Sequence, residues 1–195
     1  MIICCGEALI DFVPVVADGT PAYRPLPGGS PFNVAIGLGR LGAPAGFLSR
    51  LSTDFFGDLL VDTLVRNGVD CRHVARTTDP TTLAFVSQPG AGEPQYAFFS
   101  NGAADRCITE HDLPPAFDDA VTALHLSLGA ITLMTETAAG TYEALLRREA
   151  KRRVVVFDPN IRAGLIADRA GYCKRLESLV GICDLVKVSR ADLEW

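Results

Sequence analysis

Basic clusters, metal-ligand spacings and long apolar runs are all missing from this sequence. Lys and Arg number 18 against 23 Asp and Glu, for a net charge of -5, and no basic run exceeds Arg147-Arg148 or Lys151-Arg152-Arg153. A nucleic acid or an acidic membrane surface would meet no electrostatic footprint, so neither is expected as a partner. The opening stretch from Met1 to Ile10 is too short, and too quickly interrupted by Glu7 and Asp11, to serve as a signal peptide or a membrane span. A cytoplasmic location is the expectation. The six Cys, at 4, 5, 71, 107, 173 and 183, form no C-x-x-C pair, and the three His, at 73, 111 and 125, are dispersed. Zinc spacing is therefore absent, and the thiols read as small reduced apolar residues. Cys4 and Cys5 are neighbours on an expected strand, where they point to opposite faces and cannot bridge. No low-complexity linker divides the chain, because the 18 Gly and 12 Pro are scattered singly at the ends of apolar runs.

What remains is a globular composition, 48% hydrophobic and 21% charged over 195 residues, enough for one sizeable domain. Apolar runs of strand length alternate with segments of helical period, the pattern of a parallel sheet covered on both faces. Strands are expected at 2–9, 45–51, 123–128, 154–157 and 184–188. Helices are expected at about 31–41, 56–67, 135–151, 169–182 and from 190 onward. Ser30 with Pro31 starts the first helix, Gly42 stops it, and Asn67-Gly68 closes the second. The fold class is thus α/β, a three-layer doubly wound and mostly parallel sheet. Two stretches, 12–27 and 82–100, break the alternation; the second holds β-prone pieces at 83–88 and 95–99 around Pro89-Gly90-Ala91-Gly92. These read as antiparallel strands of a small sheet, a β lid over the carboxyl edge of the main one. Exposed strand edges on such a lid favour a homodimer through it.

In an open parallel sheet, ligands bind beyond the carboxyl ends of the strands. The first strand runs into Gly6-Glu7-Ala8-Leu9-Ile10-Asp11, and Pro27-Gly28-Gly29-Ser30-Pro31-Phe32-Asn33 leads two glycines straight into a helix start. Glycines there allow close approach to the backbone, and the N–H groups of the helix start can donate to a ligand. An ionised Asp11 accepts from two neighbouring hydroxyls, and the Asn33 amide both donates and accepts, which matches a vicinal diol. Taken singly, Asp11 could equally be a turn residue and Gly28-Gly29 an ordinary tight turn. The fourth strand ends in Phe157-Asp158-Pro159-Asn160-Ile161-Arg162, where Pro159 keeps Asp158 extended. Arg162 can neutralise a phosphate or orient a substrate oxygen, or simply form a surface ion pair. The last strand ends in Lys187-Val188-Ser189-Arg190-Ala191-Asp192. Ser189 and Asp192 have the spacing of a helix-capping pair, a sufficient structural account of both.

Gly37-Leu38-Gly39-Arg40-Leu41-Gly42 matches the dinucleotide fingerprint G-x-G-x-x-G, but lies inside a helix instead of between a strand and a helix start. A nicotinamide-dependent oxidoreductase is accordingly a distant alternative. Gly37 and Gly39 are expected as close-packing positions and Gly42 as the helix stop. No G-x-x-x-x-G-K-[ST] occurs, which argues against a P-loop enzyme.

Gly28-Gly29 through Asn33, the run from Ala35 to Gly42, and Leu48-Ser49-Arg50-Leu51-Ser52-Thr53-Asp54-Phe55-Phe56-Gly57 together resemble the first signature of the PfkB, or ribokinase-like, carbohydrate kinases. Gly6 to Asp11, Asp158 to Arg162 and Lys187-Val188-Ser189 resemble the fructokinase branch in particular. The resemblance implies that Asp11, Gly28, Gly29 and Asn33 bind sugar hydroxyls and that Arg162 lies near the sugar or the transferring phosphate. It implies a lid that closes over the substrate, with Gly102-Ala103-Ala104-Asp105 returning from it so that Asp105 touches the sugar. Lys187, Ser189 and Asp192 are placed near nucleotide or phosphate. Ser189 and Asp192 stand where many members carry an Asn and a Glu that influence magnesium, so no metal ligand is assigned.

Members of the family also carry a Gly-Ala-Gly-Asp element near the C-terminus, whose Asp takes the sugar's proton, and this sequence contains no such element. With no stop signal after Asp192-Leu193-Glu194-Trp195, the expectation is an N-terminal portion of the fold, its C-terminal part absent, and no catalytic residue in this chain. The implied reaction of the complete enzyme is in-line transfer from ATP with Mg2+ to a sugar, fructose ahead of 2-keto-3-deoxygluconate or ribose. A non-catalytic sugar-binding module is the alternative from another class.

Overall fold

The structure, a computed structural model, describes residues 1–87, 95–133 and 135–195. In chain order it comprises β1 (Ile2–Gly6), β2 (Leu9–Ala17), β3 (Thr20–Gly28), α1 (Ser30–Arg40), β4 (Ala45–Ser52), α2 (Phe55–Arg66), β5 (Asp70–Thr77), β6 (Thr82–Ser87), β7 (Gln95–Phe99), β8 (Ala123–Ser127), α3 (Ala130–Leu133), α4 (Glu136–Glu149), β9 (Val154–Asp158), α5 (Arg169–Val180), β10 (Leu185–Val186) and α6 (Arg190–Glu194). Single 3-10 turns occupy Ala104–Arg106, Glu110–Asp112 and Ala163–Leu165.

Six strands form a wholly parallel sheet in the order β10-β9-β8-β1-β4-β5. Apolar side chains alternate across it into two cores. On one face Ile3, Cys5, Leu124, Leu126, Val155 and Phe157 meet Tyr142, Leu145 and Leu146 of α4 and Leu179 of α5. On the other, Cys4, Phe47 and Leu51 meet Phe32, Ala35 and Ile36 of α1 and Leu60 and Leu64 of α2. The adjacent thiols of Cys4 and Cys5 thus belong to different cores, and all six cysteines are free. On the α1–α2 face, no helix among the described residues covers β9 and β10, and Val154 and Leu185 stay 52% and 53% exposed. A second sheet, β3-β2-β6-β7, is built from two antiparallel hairpins whose inner strands β2 and β6 run parallel.

Several boundaries depart from the sequence expectation. The first strand does not run to residue 9. It breaks at Gly6, whose φ of 137° is open to glycine and little else, and whose Cβ would strike the Ser127 carbonyl. The chain then leaves the main sheet, and the small sheet begins at Leu9 instead of residue 12. Strand β5 was not anticipated, because DCRHVART lies at the sheet edge with an irregular, partly exposed burial pattern. The Pro89-Gly90-Ala91-Gly92 turn lies outside the described residues.

The glycines of α1 also separate. Gly42, with φ of 75°, closes the helix as expected: its N–H bonds to Gly39 O and that of Ala43 to Leu38 O, a Schellman pair. Gly39 packs directly under the backbone carbonyl of Asn67 at the end of α2, where a Cβ would overlap the oxygen. Gly37 has nothing within contact distance of a built Cβ and is not a packing position. Gly39→Ala should therefore lower the stability of the chain by about 1–3 kcal/mol through overpacking. Gly37→Ala should raise it by about 0.5–1 kcal/mol through helix propensity. Urea unfolding midpoints of the two variants check this, and effects of the same sign would contradict it.

Candidate functional site

Register decides where the polar strand ends fall. Gly6 pairs with Ser127 and Ser127 with Asp158, so β1, β8 and β9 end on one rung. Beyond that rung the two sheets enclose a cleft of about 740 Å³. It is lined by Glu7, Gly129, Asp158 and Asn160 just past the strand ends, by Asp11 of β2 and Asn33 of α1, and by Arg162 and Lys187. Tyr96 and Phe98 of β7 line it as well, their rings stacked at 5.8 Å.

Each polar group is held by a nameable device. Gly29, with φ of 110°, is the N-cap of α1, and a Cβ there would lie 2.7 Å from Glu7 O. It offers no side chain to cap the helix. The carboxylate of Glu7 lies beside this helix start, where the Ser30 N–H favours its charged form, and it accepts from Thr132 Oγ1 at 3.1 Å. Gly28 is not among the residues lining the cleft. A Cβ on it would overlap Asp11 Oδ2, so its absence of a side chain leaves room for that carboxylate. Asp158 Oδ2 pairs with Lys187 Nζ at 3.0 Å, and its Oδ1 accepts from the Asn160 N–H at 3.1 Å; Asn160 itself stands at a left-handed φ of 42°. The Arg162 guanidinium donates to the carbonyls of Asn160 and Ile161.

The electrostatics follow from burial. Burial pushes Glu7 up to about 7, the charge of Asp105 adds to that, and the Thr132 hydroxyl, Arg162 and the Ser30 N–H pull it back. Asp105 rises to about 6, again through burial, opposed by Thr82 and Arg106. Asp11, half-buried, is lifted above the ordinary carboxylate range by desolvation, with Arg162 acting against it. His125, which also lines the cleft, is held below the usual imidazole range by burial.

Of the residues proposed from sequence, the cleft brings together Asp11, Gly29, Asn33, Arg162 and Lys187. It does not bring Asp105, which is 2% exposed and hydrogen-bonded to Thr82 beneath the small sheet. Ser189 and Asp192 form the capping box of α6, and Asp192 Oδ1 also accepts from the Ile161 N–H at 2.9 Å. Asp192 lines a neighbouring pocket of about 530 Å³ that shares Arg162, Tyr96 and Phe98. Sequence reasoning missed Glu7, His125, Tyr96 and Phe98 as cleft residues. Glu7 had a usable signal, a carboxylate one residue past a strand-ending glycine.

The profile of the pfkB family carbohydrate kinases matches residues 1–195. A fructokinase of Rhizobium leguminosarum bv. trifolii is 45% identical over 196 residues, which cover 100% of this chain and 59% of that protein. The fructokinase of Xylella fastidiosa with bound ATP superposes with a TM-score of 0.85 at 32% identity, covering 99% of this chain and 62% of the other. That of Vibrio cholerae O395, bound to fructose, ADP and calcium, gives 0.84 at 27% identity, covering 99% and 61%. The chain thus spans about three-fifths of the length of these proteins. Among the described residues no helix is long and apolar enough to cross a membrane.

Glu7 yields a pH prediction. A carboxyl group raised from 4.5 to about 7 on folding contributes stability that is fully present below pH 4.5 and lost as pH rises through 7. Thermal unfolding followed by circular dichroism should therefore show the wild type losing on the order of 2 kcal/mol relative to Glu7→Gln between pH 5 and 8. Parallel pH profiles for the two proteins would contradict the assignment.

Proposed function

Because the chain belongs to the pfkB family of carbohydrate kinases, we propose that its cleft is the sugar site of an ATP-dependent kinase, with fructose as the sugar. The observation that carries this reading is the convergence of Asp11, Asn33 and Arg162, from three separate elements, on one cleft. Asp11 accepts hydrogen bonds from two neighbouring hydroxyls, and the Asn33 amide donates to one oxygen and accepts from another. The open backbone at Gly29 lets a hydroxylated carbon come close. Arg162 and Lys187 supply positive charge where a phosphoryl group on the sugar would carry negative charge. Asp158 holds Lys187 there. Tyr96 and Phe98 line the cleft from β7, which gives the small sheet of β2, β3, β6 and β7 the part of a lid.

The phosphate donor proposed is ATP with Mg2+, in keeping with the nucleotides bound by the Xylella and Vibrio proteins. The two cationic side chains suit a phosphate. Among the described residues no group of three or more His, Cys, Asp or Glu is placed to hold a metal ion. Mg2+ is assigned to no residue here, and the catalytic base is expected from the family's Gly-Ala-Gly-Asp element, which this sequence does not contain. Exposed Val16, Tyr23 and Phe99 on the small sheet, at 75%, 50% and 62%, support a homodimer through its edge strands β3 and β7. A cytoplasmic location completes the proposal.

Calorimetric titration should show fructose binding in preference to ribose and 2-keto-3-deoxygluconate. Asp11→Ala should weaken it by about 10- to 100-fold, the loss of a charged acceptor. The intact gene product should release ADP in a fructose-dependent manner. Sugar binding without any such release would favour a non-catalytic binding module, and absence of both would end the sugar reading.

A further inference from the structure

The small sheet hangs from the main body by its strand ends, and two of these are fastened at one place. The chain enters β6 through Thr81 and Thr82. Thr81 gives its N–H and hydroxyl to the Asp54 carboxylate at 3.0 and 2.7 Å. It leaves β7 through Ser100 and returns to the body at the turn Ala104–Arg106. There Ala104 N–H donates to Pro80 O at 2.9 Å, and Arg106 reaches back to Ser100 Oγ at 2.6 Å. Between these two legs lies one buried side-chain bond, Thr82 Oγ1 to Asp105 Oδ1 at 2.6 Å.

That bond is unusual in its surroundings. Thr82 and Asp105 are 1% and 2% exposed, and Asp105 Oδ2 has no hydrogen-bond partner although it is buried. A buried carboxylate with one oxygen unsatisfied is costly, and apolar packing at the same spot would be more stable. A buried polar atom left without a partner calls for an explanation other than stability. Asp105 is not among the residues that line the cleft. Thr82 pairs with Leu9 in the small sheet, two residues along from Glu7 in the cleft.

We propose that Asp105 is a positioning residue: by accepting from Thr82 it ties the start of β6 to the return from β7, and so sets where Tyr96 and Phe98 stand over the cleft. The affinity part of this proposal rests on the sugar reading of the cleft; the structural part does not. A weakened tie leaves the six-stranded sheet intact and loosens the β7 leg. The site is then formed only part of the time, and sugar affinity falls by that fraction.

Hydrogen exchange of the ligand-free chain tests the tie directly. Thr82→Val, which deletes the donor and keeps the volume, should speed exchange of the amides in 95–99 by about tenfold or more, with β1, β8 and β9 unchanged. Thr82→Ser, which restores the hydroxyl, should stay within about threefold of the wild type. Should valine not be accommodated, Thr82→Ala deletes the donor without crowding and carries the same expectation. Fructose affinity should fall about tenfold in Thr82→Val and recover in Thr82→Ser. Unchanged exchange in 95–99, or acceleration spread equally over both sheets, would overturn the proposal. If the wild type binds no sugar, the reading of the cleft falls, and the exchange comparison still decides the role of Asp105.

Discussion

Three parallel strands ending on one rung are the constraint from which the cleft follows. With Gly6, Ser127 and Asp158 side by side, the residues one or two positions further along each strand must emerge together. Those residues are Glu7, Gly129 and Asn160. The rung also fixes α1, since Ser127 Oγ donates to Ser30 Oγ at 2.7 Å at the helix start, and Asn33 is one turn further on. A slip of one residue between β1 and β8 would turn every side chain of β8 to the opposite core and scatter the site.

The position of Glu7 shows how stability and site geometry are traded. Gly29 adopts a backbone conformation that favours glycine, so the first helix begins without a capping side chain. The Glu7 carboxylate stands beside this helix start, and negative charge at a helix N-terminus is favourable by about 0.3–1 kcal/mol, or up to ~2 when partly buried. Desolvation works in the other direction and is the larger effect, because Glu7 ends near neutrality instead of in the ordinary carboxylate range. Asp105 carries the same imbalance.

Much of this was legible in the chain. Alternating apolar runs named the layered sheet, and polar residues after strands pointed to Asp11, Asn33 and Arg162, because a parallel sheet offers its carboxyl edge to ligands. What was not legible depended on contacts between distant segments. Gly37 and Gly39 look alike in sequence, and only the Asn67 carbonyl above one of them tells them apart. Gly28 shares a dipeptide with Gly29, yet it makes space for a carboxylate while Gly29 turns the chain into a helix. Asp105 looks from sequence like a loop carboxylate, and only its buried bond to Thr82, 23 residues away, shows what it holds. The aromatic pair of Tyr96 and Phe98 belongs to a five-residue strand whose alternation places both on one face but does not say what that face covers.

The account stands on one small polyol fitting between the carboxylate of Asp11, the amide of Asn33 and the guanidinium of Arg162. A crystal structure of the protein soaked with fructose tests this most directly. Electron density for the sugar on the rung of Gly6, Ser127 and Asp158, with its oxygens within hydrogen-bond distance of those three groups, is the predicted result. Ordered fructose bound elsewhere, with this cleft holding only water, would contradict it.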